Sequence, residues 1–257
     1  MVTENNNINS ILADIGDTAS KKTAGKVSFN TSSSADYFSN ESYKTLRTNM
    51  MFCSSDIKTI VITSCHENEG KSTVSSELAK SLAEIGKKTV LIDADLRKSV
   101  MLRRPSKDKE VFGLSELLSK QCDISQVIYS TQHPNFDVIF SGHFPPNPVE
   151  LLGSGEFEKL LGELKKDYDY IIIDTPPVGA VIDAAVVASV CDGVIFVISQ
   201  GTVSIREAQN AKEQLLKSGC KIIGAVMNDV ERKQKQFYKR YKANSYGYDN
   251  TYNQKKK

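Results

Sequence analysis

Apolar and polar positions divide the chain before any motif is considered. From Lys58 onward, short runs rich in β-branched residues recur at Thr59–Thr63, Thr89–Asp93, Tyr170–Asp174, Val194–Ser199 and Ile222–Met227, with helical stretches between them. These runs are apolar at nearly every position, which predicts strands covered on both faces, and their alternation with helices predicts a mostly parallel sheet. The expected fold class is α/β, a doubly wound, mostly parallel sheet with helices on both faces. After the first run, Val74, Leu78, Leu82 and Ile85 recur at helical spacing to face the sheet, and Gly86 stands where that helix ends. Upstream, Tyr43, Leu46 and Met50 predict a helix from about Asn40 or Glu41 to Phe52. Between Arg104 and Leu152 the periodicity weakens, so an inserted loop region is expected there. It closes on Phe144-Pro-Pro-Asn-Pro148, where Asn147 as cap, Pro148 in the first turn and Glu150 three residues after the cap predict another helix.

Composition assigns the ends. Residues 1–40 contain 17 Ser, Thr or Asn and few large apolar groups, and they are expected to form a flexible leader to a single domain over 41–230. The net charge of +2 hides an asymmetry, because residues 231–257 carry nine Lys or Arg and two Asp or Glu, leaving the remainder at −5. Five of the ten tyrosines also fall in the last twenty residues, interrupted by Asn, Gly, Lys and Ser, so a basic, tyrosine-rich flexible tail is expected. No apolar run approaches the roughly 18 residues of a membrane span, and the first 30 lack the apolar centre of a signal peptide, which predicts a cytoplasmic protein. Cysteines at 53, 65, 122, 191 and 220 show no close pairing, against a zinc site or a disulfide framework.

The segment Thr63-Ser-Cys-His-Glu-Asn-Glu-Gly-Lys-Ser-Thr73 lies between the first predicted strand and the start of an amphipathic helix, the setting a phosphate loop requires. Within Glu69, Gly70, Lys71, Ser72 and Thr73, Gly70 lets backbone amides approach phosphate, Lys71 reaches the β and γ phosphates, and Ser72 offers a hydroxyl to Mg²⁺. The usual first glycine of the motif falls at Cys65, which tolerates positive φ less readily. Two further strands end on carboxylates, in Val90-Leu-Ile-Asp-Ala-Asp-Leu-Arg97 and Tyr170-Ile-Ile-Ile-Asp-Thr-Pro-Pro177. An open parallel sheet binds ligands at that end, and Mg²⁺ takes one or two carboxylates beside phosphate, which suits Asp174. ATP and Mg²⁺ are the cofactors expected.

Over roughly residues 41–252 the chain resembles the bacterial tyrosine kinases of capsular and exopolysaccharide clusters, which share the deviant-Walker P-loop fold with ParA- and MinD-like ATPases. The resemblance rests on Glu69-Gly-Lys-Ser-Thr73, Asp93-Ala-Asp-Leu-Arg97, Asp174-Thr-Pro-Pro177 and the tyrosine-rich tail. It implies that Asp93 assists Mg²⁺ binding, together with Ser72 and Asp174, and deprotonates the acceptor tyrosine, with Asp95 as helper and Asn228 near the adenine. The implied acceptors are Tyr238, Tyr241, Tyr246, Tyr248 and Tyr252. Glu41-Ser-Tyr-Lys44-Thr-Leu-Arg47 matches the family's Glu-x-x-Arg-x-x-Arg oligomer helix with Lys44 in place of an arginine, which implies a ring-like homo-oligomer phosphorylating tails in trans. The family's single-chain forms carry transmembrane segments, so this chain looks like the split form, recruited to the inner face of the cell membrane and activated by the cytoplasmic tail of a transmembrane adaptor. A phosphotyrosine phosphatase and other protein substrates are further implied partners.

The alternative is a ParA- or MinD-like partitioning or membrane-positioning ATPase without kinase activity. Such proteins place a lysine five residues before the P-loop lysine, where this chain has His66. The basic tail could contact nucleic acid or anionic lipid, and nucleic acid is the less favoured partner. Between nucleotide contact and helix capping for Gly201–Arg206, capping by Ser204 is expected.

Overall fold

The computed structural model describes residues 23–29, 37–53, 56–101 and 111–230. Among them an eight-stranded sheet runs in the order β1-β4-β5-β3-β6-β2-β7-β8. Its strands are β1 (Gly25–Lys26), β2 (Thr59–Ser64), β3 (Thr89–Asp93), β4 (Tyr129–Ser130), β5 (Phe136–Ile139), β6 (Tyr170–Asp174), β7 (Gly193–Ser199) and β8 (Ile222–Asn228). Every pairing is parallel except β4 with β5. The three central strands β2, β3 and β6 are buried along almost their whole length, as their continuous apolar runs require.

Helices α1 (Tyr37–Cys53) and α2 (Lys71–Glu84) cover one face, and α3 (Leu114–Leu118), α4 (Pro148–Leu152), α5 (Glu156–Asp167), α6 (Asp183–Ala188) and α7 (Ile205–Lys217) cover the other. Alternate strand residues supply the two cores: Ile60, Ile62, Leu91 and Ile172 face α2, while Val61, Val90, Ile92 and Ile173 face α5 and α6. Val74, Leu78 and Leu82 of α2 are buried as their spacing predicts, but Ile85 lies past the end of the helix and is exposed. Gly86 terminates α2 at φ +81°, with the amides of Gly86 and Lys87 returned to the carbonyls of Ala83 and Leu82.

Three expectations are corrected. The leader assigned to residues 1–40 contains β1, and α1 begins at Tyr37. The amide of Ala24 reaches the Ile128 carbonyl at 2.8 Å, Val27 and Phe29 are buried, and the Gln132 side chain both donates to the Phe29 carbonyl and accepts its amide. Alternation of Val27 and Phe29 places both on the α1–α2 side of the sheet, where Phe29 meets Phe136 edge-on. The loop expected over 104–152 holds α3, β4 and β5, too short to register as periodicity. Lastly, α4 starts at Pro148 as predicted, yet the Asn147 side chain makes no cap hydrogen bond. Ser204 does cap α7, accepting the Glu207 amide at 3.2 Å while Glu207 accepts the Ser204 amide at 2.8 Å.

Candidate nucleotide site

The parallel sheet brings the carboxyl ends of β2, β3, β6, β7 and β8 to one edge, where a cleft of ≈ 350 Å³ opens. One wall is the turn from β2 into α2, including Asn68, Gly70, Lys71, Ser72 and Thr73; Asp95 to Val100 and the segment Pro176 to Val181 form the others. The β2–α2 turn has a left-handed residue at Asn68, φ +63°, and another at Gly70, φ +82°. Cys65, at the place of the motif's first glycine, is not among the positive-φ residues, so the missing glycine causes no backbone strain there. Close packing in the loop is served from outside: a Cβ on Gly179 would lie 2.4 Å from the Cys65 carbonyl oxygen. Burial, with Glu69 and Glu207 nearby, pushes the Cys65 thiol up to about 11.

Two of the residues expected near nucleotide have side chains that brace the loop. Glu69 is buried, and its carboxylate accepts the amides of His66 at 2.9 Å and Ser199 at 3.4 Å. Asn228, at the end of β8, donates Nδ2 to the Glu69 carbonyl at 3.0 Å, and a Cβ on Gly70 would stand 2.1 Å from that nitrogen. Gly70 is thus required twice, for its φ and for the approach of Asn228.

Lys71 opens α2 and points across the cleft, with Nζ 3.8 Å from Asp95 Oδ2. The Ser72 hydroxyl donates to Asp174 Oδ2 at 2.6 Å, and Ser75, one turn on, donates to Oδ1 at 2.9 Å. Register sets Asp93 directly beside Asp174. Asp93 is fully buried, with Oδ1 accepting the Asp95 amide at 3.1 Å and Oδ2 accepting the Ser99 hydroxyl. Burial first, and then the charge of Asp174, raises Asp93 to about 8; burial raises Asp174 to about 6, opposed by Lys71 and the two serines. A hydroxyl and a carboxylate in contact, backed by a second carboxylate held above its ordinary range, form a hard-oxygen donor set that fits Mg²⁺.

Asp95 lines the cleft and Asp93 lies beneath it, the reverse of the expected order with Asp93 foremost and Asp95 as its helper. Arg97, in the motif after β3, has a structural task that spacing does not display: its guanidinium grips Asp183 through Nε at 2.9 Å and Nη2 at 3.1 Å. Asp183 is wholly buried at the start of α6, so this fork ties the segment after β3 to the segment after β6. His66 turns away from the cleft, its Nε2 3.3 Å from Glu207 Oε1.

The predicted oligomer helix is α1, where Glu41 and Lys44 pair at 2.8 Å on the surface. Arg47 is engaged within the chain, donating to the Ser81 carbonyl at 2.6 Å and hydroxyl at 3.0 Å. Between α1 and α2 runs a separate groove of ≈ 240 Å³, lined by Tyr43, Lys44, Glu77 and Glu84 among others. Tyr238, Tyr241, Tyr246, Tyr248 and Tyr252 lie outside the described residues. Among the described residues no helix is long and apolar enough to cross a membrane.

A glycine-lysine turn between strand and helix, a serine in contact with a strand-end aspartate and a second aspartate beside it define a P-loop nucleotide-binding protein. The AAA domain family matches residues 57–218. The chain is 44% identical over 190 residues to tyrosine-protein kinase CpsD of Streptococcus agalactiae, covering 74% of this chain and 83% of that protein. It is 42% identical over 190 residues to tyrosine-protein kinase YwqD of Bacillus subtilis (strain 168), covering 73% and 80%. The crystal structure of the chimerical protein CapA2B2 superposes with a TM-score of 0.72 at 31% identity, over 87% of this chain and 99% of that one. The chain belongs to the bacterial tyrosine-protein kinases, a branch of the P-loop superfamily that also holds the ParA- and MinD-like ATPases.

Proposed function

We propose that this kinase transfers the γ-phosphoryl group of Mg·ATP to the tyrosines of its own C-terminal segment, Tyr238, Tyr241, Tyr246, Tyr248 and Tyr252, between copies of the chain. The observation that carries the reading is the Lys71, Ser72 and Asp174 cluster, with Asp93 in register beside it, on a chain that also holds the tyrosine cluster. Ser72 and Asp174 would hold Mg²⁺, which would supply positive charge against the developing phosphate charge. The amides of residues 69–72 and the Lys71 ammonium cradle the phosphates, since phosphoryl transfer depends chiefly on positioning and charge. Asp93 accepts the phenolic proton in its ionised form: a carboxyl raised to about 8 is ionised in only a fraction of molecules at neutrality but is then a stronger base than an ordinary carboxylate, and the Ser99 hydroxyl on Oδ2 marks where an acceptor hydroxyl would sit.

Asp95 holds Lys71 across the cleft, and Glu69 and Asn228 serve nucleotide binding through the shape of the loop. Ring-like self-assembly through α1, recruitment to the inner membrane face and activation by the cytoplasmic tail of a transmembrane adaptor complete the reading. A phosphotyrosine phosphatase opposes it, and capsular or exopolysaccharide synthesis and export is the process controlled. Support comes from the similarity to CpsD and to CapA2B2.

Intact-mass analysis after Mg·ATP incubation with an adaptor-tail peptide tests it, using the parent, Lys71→Met and a variant with all five tail tyrosines changed to Phe. The parent gains up to five phosphoryl groups, and both variants gain none. A parent that hydrolyses ATP yet gains no phosphotyrosine would establish the partitioning-type activity instead.

A further inference from the structure

Two cation–anion pairs cross the cleft between the β2–α2 turn and the segment after β3, and they run in opposite directions. Lys71 of the turn faces Asp95 at 3.8 Å, while Glu67 of the turn holds Lys98 Nζ at 2.6 Å through Oε2. The first pair belongs to the chemistry already assigned. The second has no stability to explain it, because both side chains are exposed, Lys98 by 71% and Glu67 by 54%, and such pairs contribute little to folding.

The main chain at Lys98 is nonetheless held at several points. Asp95 Oδ1 accepts the amides of Arg97 at 3.2 Å and Lys98 at 2.9 Å. On one side Arg97 is forked onto buried Asp183, and on the other Ser99 donates its hydroxyl to Asp93. The result is an anchored backbone carrying an exposed ammonium, held only by Glu67 among the described residues, on the rim of a phosphate cleft. A cation with a single exposed carboxylate partner exchanges it for a more highly charged phosphate with little loss. The β2–α2 turn itself supplies no second cation to the cleft, since His66 is turned to Glu207.

We propose that Lys98 is a second phosphate-binding residue of this kinase, releasing Glu67 to contact the terminal phosphate of the bound triphosphate from the wall opposite Lys71. Glu67 is then its competitor, and removing that carboxylate favours the triphosphate. The assignment rests on the nucleotide-binding reading of the site, but not on which tyrosine receives the phosphoryl group.

The test is calorimetric binding of Mg·ADP and of a non-hydrolysable Mg·ATP analogue to the full chain. Lys98→Ala is expected to weaken the analogue about tenfold and ADP less than about twofold, the loss of one charge-assisted contact to the terminal phosphate. Glu67→Gln is expected to tighten the analogue about two- to threefold, and the double variant to behave as Lys98→Ala. Lys98→Arg keeps the preference for the analogue. Equal losses for both nucleotides, no loss for either, or weaker analogue binding in Glu67→Gln would each overturn the proposal. Binding needs no acceptor, so a parent that prefers the analogue through Lys98 but never gains phosphotyrosine sustains this assignment while defeating tail phosphorylation.

Discussion

At the scale of single residues, the site depends on groups that hold the loop as much as on those that face nucleotide. Gly70→Ala must place a side chain at φ +82° and within 2.1 Å of Asn228 Nδ2. Removing the clash with Asn228→Ala leaves the φ requirement, so both Gly70→Ala and the double variant are expected to lose about five- to 150-fold in Mg·ADP affinity, matching a strain of about 1–3 kcal/mol. Isothermal titration checks this, and recovery in the double variant would show that the approach of Asn228 is the whole constraint. Lys71, Ser72 and Asp174 were legible in the sequence because strand, glycine-lysine turn and helix occur consecutively and the aspartate ends an apolar run. The bracing role of Asn228 was not legible, since its partner Glu69 is 159 residues away and an asparagine at a strand end announces nothing by itself. Nor did spacing reveal that Asn68 would take the positive φ expected to trouble Cys65.

At the scale of elements, carboxylates tie together segments that the chain order keeps apart. Arg97 and Asp183 join the ends of β3 and β6, and truncating Arg97 to Ala leaves a wholly buried carboxylate without its fork. With the Arg97 side chain itself 41% exposed and so partly screened, the expected cost is about 1–3 kcal/mol in chemical denaturation, and Lys at this position would recover only part of it. A second tie is Asp192, ahead of β7, which accepts the amides of Lys58 and Thr59 at 2.9 and 2.8 Å and Lys165 Nζ at 3.0 Å.

Although burial opposes it, those hydrogen bonds hold the Asp192 carboxyl below its ordinary 3.8. A lowered folded-state value means that the stabilisation is present above pH 3.8 and is lost as pH falls through the folded value. Asp192→Asn is therefore expected to melt lower than the parent by an amount that is constant from neutrality to about pH 4 and shrinks below it, amounting to about 1–3 kcal/mol on the plateau. Melting curves across that range decide it, and a gap that widens in acid would contradict the tie. The principal strands were readable because burial on both faces writes continuous apolar runs. Strands of two residues, such as β1 and β4, have no period to read, and Val27 and Phe29 sat unnoticed in a segment dominated by Ser, Thr and Asn.

At the scale of the whole molecule, charge is divided rather than balanced, with +7 in residues 231–257 and −5 in the remainder. Phosphorylating five tyrosines would add about −1.5 to −2 each and reverse the sign of that segment. If self-assembly relies on attraction between one copy's basic segment and another's acidic body, phosphorylation by the parent is expected to lower the oligomer's mass in light scattering. The five-Tyr→Phe variant should keep its mass under the same Mg·ATP treatment, and equal masses throughout would remove charge as the driver. The charge division was plain in the sequence; the surface it acts on depends on packing between helices that no local pattern displays.

The loop brace supplied by Asn228 also sets a timetable. Residues that finish the nucleotide site arrive late, because Asn228 is the final residue of β8, the last strand to be made among the described residues. Central β2 likewise waits for β6 and β7, pairings of long sequence separation that form slowly. A growing chain therefore lacks this brace until β8 has been synthesised, and retention of labelled ADP by stalled chains is expected to strengthen once residue 228 is free to pair.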